Sequence, residues 1–177
     1  MPRLFTGLEV PASVRLALSL LRGGLPGARW IEPEDYHVTL SFIGDIDGAL
    51  AEDVMAALAD LRADPLELTV DGLGVFGGEK PRSIIARVRP DAALLQLQAQ
   101  QEHILRMTGA EPDGRKYTPH ITLARLRATA PGVVANFLNG RTLPELRFDV
   151  TQLNLYSSRA SRGGGPYVVE AWYPLGD

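Results

Sequence analysis

The order of patterns along the chain predicts an α/β or α+β protein, with largely antiparallel pairing and helices packed on the outer faces. Three observations carry this. Strand and helix periodicities succeed one another through 177 residues as strand–helix–strand–helix–strands–helix–strand–helix–strands. Tight Gly- and Pro-containing turns join several strands, which makes hairpins. One strand pattern is also used twice. Tyr36-His37-Val38-Thr39-Leu40-Ser41-Phe42 and Pro119-His120-Ile121-Thr122-Leu123-Ala124-Arg125 share the grammar His, β-branched, Thr, Leu. The copies lie about 80 residues apart, as expected of one structural unit used twice.

Arg3 to Val10 reads as a first strand. Pro11 suits the first turn of a helix; Val14, Ala17, Leu18 and Leu21 follow at helical spacing, and Gly23-Gly24 stops it. Ala28 to Ile31 is a short extended piece, and Glu32-Pro33-Glu34-Asp35 a turn that delivers the first His strand. Period two places His37, Thr39 and Ser41 on one face of that strand, with Val38, Leu40 and Phe42 on the other, toward the core. A helix over 49–61 presents Leu50, Val54, Ala57, Leu58 and Leu61 as an apolar stripe. Leu66 to Val75 alternates as a strand, Gly77 to Pro81 turns the chain, and Ser83 to Val88 returns as its hairpin partner.

Asp91 is placed to cap a third helix striped with Leu94, Leu97, Ile104 and Leu105, and Gly109 to end it. A polar loop over 111–118 leads into the second His strand, where His120 and Thr122 share a face. Arg125, three residues after Thr122, falls on the opposite face unless the strand bulges or ends. Pro131 to Asn139 forms a short helix. Strands at 146–150, 153–156 and 167–173 close the chain, with a Gly-rich loop at Ser161-Arg162-Gly163-Gly164-Gly165.

Composition narrows the chemistry. At 45% hydrophobic and 22% charged residues, the chain is ordinary for a soluble globular protein. No apolar run approaches the roughly 20 residues that span a bilayer, and the N-terminus lacks the long apolar stretch of a secretory signal. There is no cysteine, which excludes disulfides, thiolate catalysis and Cys-ligated zinc and is compatible with the cytoplasm. A net charge of −3 lacks the basic excess of proteins that track a long nucleic acid. A nucleic-acid substrate would be held locally, at a terminus or one phosphodiester.

Two of the three histidines stand in the repeated motif; the third, His103, lies beside a helical apolar stripe and receives no role. Two imidazoles, no cysteine, and Thr rather than a carboxylate two residues on fall short of a metal-ligand set. No Gly-x-Ser-x-Gly elbow supports a serine nucleophile. Two histidines across a cleft suit acid–base catalysis near neutral pH, one neutral to take a proton and one charged to give it. The Thr39 and Thr122 hydroxyls would donate to the oxygens of a phosphodiester. No cofactor is expected. The alternative is a non-catalytic module holding a nucleotide or RNA end in the same cleft.

The paired His-x-Thr-Leu motifs, with Trp30 to Gly44 around the first and Pro119 to Arg125 around the second, resemble the 2H phosphoesterases. Within them the chain is similar to the bacterial RNA 2′,3′-cyclic phosphodiesterases, also called 2′-5′ RNA ligases. Arg3 to Leu8, Leu155 to Ser158 and Gly165 to Tyr167 extend the likeness nearly end to end. The resemblance implies an α+β fold of two pseudo-symmetric lobes, each an antiparallel sheet with outer helices, around a central cleft. The whole of 1–177 would form one bilobal domain. It implies metal-independent hydrolysis of a terminal ribose 2′,3′-cyclic phosphate to a 2′-phosphate, with reversible ATP-independent 2′-5′ ligation of RNA ends. His37 would be the general acid and His120 the general base, with Thr39, Thr122 and Arg125 holding the phosphate. Tyr36, Tyr117 and Tyr156 are candidates to stack on a base. The sequence departs from the family where Ile85 replaces a frequent Trp, and where Lys116-Tyr117-Thr118 precedes Pro119. A monomer in the cytoplasm, acting on RNA ends or nucleotides with a 2′,3′-cyclic phosphate, is the expected setting.

Overall fold

The computed structural model describes residues 3–158 and 165–176. Of the expected Gly-rich loop, 161–164 lie outside the described residues. The elements are β1 (Arg3–Glu9), α1 (Ala12–Ser19), β2 (Ala28–Trp30), a 3₁₀ turn (Pro33–Asp35), β3 (His37–Asp45), α2 (Gly48–Leu58), β4 (Leu66–Phe76) and β5 (Ser83–Val88). They continue with α3 (Ala92–Met107), β6 (His120–Leu126), α4 (Pro131–Asn139), β7 (Leu146–Val150), β8 (Gln152–Ser158) and β9 (Tyr167–Pro174).

Helix ends differ most from the sequence reading. Pro11 is the N-cap of α1 rather than a residue inside it, and the helix stops at Ser19, short of the glycine pair. In α2 the Asp47 carboxylate accepts the Leu50 N–H at 2.7 Å, and the helix ends at Leu58. Asp91 occupies the N-cap position of α3, but its side chain makes no capping bond.

The fold is α+β, with two antiparallel sheets ordered β3-β1-β8-β9 (sheet A) and β2-β6-β5-β4-β7 (sheet B). In each sheet the His strand pairs with a strand from which a helix separates it: β3 with β1 across α1, and β6 with β5 across α3. The halves are interleaved. α1 follows a strand of sheet A yet packs on β7 of sheet B, while α3 follows a strand of sheet B and packs on β3 of sheet A as well as on β4. The chain crosses between the sheets at Thr151, from β7 straight into β8.

The cores follow this exchange. Val14 and Leu18 of α1 and Val134 and Phe137 of α4 join the cluster holding Val38, Leu40, Ile121 and Leu123, the inward residues of both His strands. Val54 and Leu58 of α2 and Leu105 of α3 cover Leu4, Ile43 and Leu155 of sheet A. A fully buried side chain of this size contributes about 1.5–3 kcal/mol, so the backs of both His strands are firmly anchored.

Candidate active site

Each His strand carries the same irregularity. Along β1–β3 the register runs Gly7↔Thr39 and then Thr6↔Ser41, skipping Leu40; along β5–β6 it runs Ile85↔Thr122 and then Ile84↔Ala124, skipping Leu123. A bulge adds one residue and reverses the side-chain phase beyond it. His37 and Thr39 therefore face the cleft, but Ser41 turns inward and Phe42 turns out. This corrects the expected alternation, which put Ser41 with His37 and Phe42 in the core. Phe42 is 51% exposed.

Ser41 is drawn inward by a buried polar network. The Gln101 amide of α3 donates to its hydroxyl, the Thr6 hydroxyl donates to Gln101 Oε1 at 2.8 Å, and the Ser41 N–H donates to Thr6 at 3.2 Å. In the second copy Ala124 turns inward and Arg125 turns out. Arg125 thus reaches the same cleft as Thr122, through the bulge that the spacing required.

The cleft has a volume of about 390 Å³ and collects His37, Thr39, His120, Thr122 and Arg125, with Tyr117, Tyr167, Phe42 and Phe76 around them. Both imidazoles are held alike. His37 Nδ1 lies 2.9 Å from the Asp35 carbonyl, and His120 Nδ1 lies 2.7 Å from the Thr118 carbonyl. A carbonyl only accepts, so each Nδ1 carries the hydrogen, which leaves the free lone pair on Nε2 of the neutral ring. His37 Nε2 is 2.9 Å from the Thr39 hydroxyl; His120 Nε2 has no hydrogen-bond partner among the described residues.

Their surroundings differ. His37 is packed by Phe5 (4.9 Å between ring centroids), Tyr167 (5.0 Å, edge-on) and Tyr156 (5.6 Å). Gly7 permits this approach: a Cβ there would stand 2.9 Å from the Val38 carbonyl and 3.2 Å from the Tyr156 ring. Desolvation dominates at His37 and holds its pKa down at about 4; the Asp35 carbonyl works against this, while His120 and Arg125 add to it. His120 meets one ring, Phe76, edge-on at 4.6 Å. Its pKa is lowered too, by burial first and then by Arg125, with the Thr118 carbonyl opposing.

Charge at the cleft is cationic. Among the described residues, Arg82, Lys116 and Arg125 have no acidic partner, whereas Arg115 is paired with Asp113. The Asp35 carboxylate accepts the Tyr167 N–H at 3.1 Å, and burial raises its pKa. No three His, Asp or Glu side chains among the described residues are grouped to hold a metal ion.

Of the three tyrosines proposed to stack on a base, Tyr117 alone lines the cleft. Its hydroxyl donates to the Thr39 carbonyl at 2.7 Å, tying the loop before the second motif to the strand of the first. Tyr36 is a correction: it precedes His37 by one residue, so the pleat sends it into the core at 2% exposure. Tyr156 is another, since it is buried and stacked on Phe5 (5.0 Å, 15° between planes) as the wall behind His37. Sequence reasoning missed Phe5, Phe76 and Tyr167: Phe76 ends β4 and Tyr167 begins β9, whereas Phe5 lies inside β1 and carries no signal that sets it apart from a core residue. His103 is exposed on α3. No helix among the described residues is long and apolar enough to cross a membrane.

Comparison with known proteins agrees with this geometry. The LigT like Phosphoesterase family matches residues 8–86 and again 88–167, so each match contains one His strand. An RNA 2′,3′-cyclic phosphodiesterase of Geobacillus stearothermophilus is 35% identical over 179 residues, 97% of this chain and 56% of that protein. Another, from Aeropyrum pernix, is 29% identical over 157 residues, 86% of this chain and 89% of its own length. The chain thus spans little more than half of the first relative and most of the second. E. coli LigT in complex with 3′-AMP shares the fold with a TM-score of 0.79 at 23% identity, over 100% of both chains. The Thermus thermophilus protein TT0787 shares it with a TM-score of 0.78 at 26% identity, over 98% of this chain and 97% of its own. Two matched segments, a duplicated His-x-Thr strand with the same bulge, and one cleft between them have a single explanation: the chain belongs to the LigT-like phosphoesterases.

Proposed function

We propose that this protein is a metal-independent RNA 2′,3′-cyclic phosphodiesterase, with reversible ATP-independent 2′-5′ ligation as the same chemistry applied to a second RNA end. One observation carries the reading: two imidazoles, each fixed by a backbone carbonyl at Nδ1, border one cleft with a threonine hydroxyl on each side. The names of the relatives above support the choice of reaction.

The reacting phosphorus lies between the two Nε2 atoms. His120, less enclosed by aromatic rings, takes a proton from water as its oxygen attacks phosphorus. His37, on the drier side, gives its proton to the departing 3′ oxygen as that P–O bond breaks. The 2′-phosphate remains, and the pair exchanges its protons through solvent before the next turnover. The active form holds one proton on the pair, and the two pKa values belong to the pair. The phosphate anion offsets the desolvation that keeps the free imidazoles neutral.

Thr39 and Thr122 donate to the non-bridging oxygens, and Arg125 adds a charged fork suited to phosphate. Tyr117 and the exposed ring of Phe42 offer faces to the terminal base. The cysteine-free composition suits a cytoplasmic enzyme, which we take to act as a monomer.

The test is turnover of a nucleoside 2′,3′-cyclic phosphate in EDTA, with the 2′- and 3′-phosphate products separated. The 2′ isomer should form, and His37→Ala or His120→Ala should each slow its formation by about 10² to 10⁴. Full activity in either variant overturns the reading, and tight binding without turnover makes the cleft a binding module.

A further inference from the structure

A second concavity opens from the cleft along sheet B. Arg87 stands opposite His120 and Ile85 opposite Thr122, and directly opposed residues of an antiparallel pair project from the same face. Arg87 and Ile85 are therefore neighbours of the reacting pair, one strand further out. Beyond them β4 places Gly74 opposite Ile85. Gly72 lies beneath the Arg87 guanidinium, where a Cβ would stand 2.7 Å from Nη2. With no side chain at either glycine, this face of β4 carries only the Arg87 side chain laid across it beside Ile85.

The resulting groove is lined by Gly74, Phe76, Ile85, Arg87, Lys116 and Tyr117. Phe76, Lys116 and Tyr117 also line the cleft, so the two are continuous. Among the described residues neither Arg87 nor Lys116 has an acidic partner, and Asp71, the carboxylate at the groove, is held by Arg89 at 3.5 Å.

The cleft, at about 390 Å³, is near the lower end of small-ligand pockets, which run from about 300 to 1,000 Å³. It has room for the reacting nucleotide, so a longer chain must leave by an open side. Behind His37 the way is closed by Phe5, Tyr156 and Tyr167, with the Asp35 carboxylate beside them. Toward sheet B lies the groove, apolar on its floor and cationic at its edge.

We propose that this groove is a subsite for the nucleotide preceding the cyclic phosphate. Phe76 supports its base, above the buried Ile85, and Arg87 and Lys116 take its phosphodiester. The inference rests on the cyclic phosphodiesterase reading and specifies its substrate: an oligonucleotide end in preference to a mononucleotide.

The experiment compares kcat/KM for a mononucleoside 2′,3′-cyclic phosphate with that for a dinucleotide bearing the same terminus, in wild type, Arg87→Ala and Gly74→Val. Arg87 is exposed, and a Cβ on Gly74 would meet Arg87 and Ile85 at ordinary contact distances of 3.5 Å; unchanged circular dichroism and mononucleotide turnover establish that each variant is folded. Wild type should prefer the dinucleotide at least tenfold. Either substitution should bring the ratio within about twofold of unity, and mononucleotide turnover should hold. Arg87→Ala should also flatten the salt dependence for the dinucleotide, by a log–log slope of about 0.7. Equal kcat/KM for the two substrates in wild type, or equal losses on both in the variants, overturns the proposal. Calorimetric titration with the corresponding mono- and dinucleotide 2′-phosphates reads the groove without turnover. If neither cyclic substrate is cleaved, the enzymatic reading fails; equal affinities for the two products sink the subsite.

Discussion

Acidification from pH 7 to pH 4 should destabilise the protein through His37, and the size of the loss follows from its surroundings. The ring is enclosed by Phe5, Tyr156 and Tyr167, which bring its pKa from 6.5 to about 4. At about 1.4 kcal/mol per pH unit, protonation costs about 3 kcal/mol more in the fold than in the unfolded chain. Above pH 6.5 the ring is neutral in both states and the penalty is absent. As pH falls below 6.5 the unfolded chain takes up the proton first, and stability drains until the folded ring titrates near pH 4. Urea unfolding at pH 7, 6, 5 and 4 measures this, with His37→Gln as a partner that cannot titrate. Wild type should lose about 3 kcal/mol more than the variant across the window, against a common background from the carboxylates and His120. Parallel curves would refute the claim that the ring is desolvated. The kinetic counterpart is a bell-shaped kcat/KM profile with its optimum below pH 6.5, because both free imidazoles are shifted downward while the active form holds one proton.

Three further outcomes follow from the site. His37→Ala and His120→Ala should each lower kcat by about 10² to 10⁴, read in single-turnover assays with a 2′,3′-cyclic phosphate. Thr39→Val and Thr122→Val each remove a hydroxyl proposed to donate to an anionic phosphate; at about 1.5–3 kcal/mol each, kcat/KM should fall roughly 10- to 100-fold with folding intact by circular dichroism. Tyr117→Phe deletes the hydroxyl that bridges to the Thr39 carbonyl, and should cost about 1 kcal/mol in urea unfolding while raising KM.

Much of this was legible because its causes are local. Period two puts His37 beside Thr39 and His120 beside Thr122, and nothing distant is needed to know it. The elements themselves follow from apolar spacing and turn residues. What escaped depends on partners far along the chain. Ser41 turns inward because Gln101, 60 residues on, bonds to it, so alternation failed at Ser41 and Phe42. In the sequence Tyr156 has the look of a platform, because its neighbour Phe5 belongs to a strand from the other end of the chain. The exchange of α1 and α3 between sheets leaves no mark on either helix, since an apolar stripe fits any apolar sheet. Arg125 was the intermediate case: its spacing named the condition, a bulge, and the register between β5 and β6 supplied it.

The repeat is most informative where it breaks its own symmetry. Phe42 stands five residues after His37 and Arg125 five after His120, each thrown outward by an equivalent bulge. One lip of the cleft is thus aromatic and the other cationic. The imidazoles diverge likewise, one against three rings and the other against one. Two equivalent histidines in one cleft would share one affinity for protons and repel when both are charged, leaving the singly protonated form divided between mirror-image states. Unequal burial removes that degeneracy: in the free cleft the proton favours the less enclosed His120, and the roles proposed for hydrolysis require the bound anion to draw it to His37. In the proposed hydrolysis, a substrate bringing an anion, a sugar and a base has one orientation that satisfies both lips, and that orientation sets which imidazole faces the leaving oxygen. A change that equalised the lips, such as Arg125→Phe, should therefore lower kcat for hydrolysis more than the loss of one phosphate contact accounts for, because bound substrate would divide between productive and reversed orientations. Arg125→Ala supplies the reference, since it removes the contact without building a second aromatic lip; equal kcat in the two variants would show that the lips do not set the orientation.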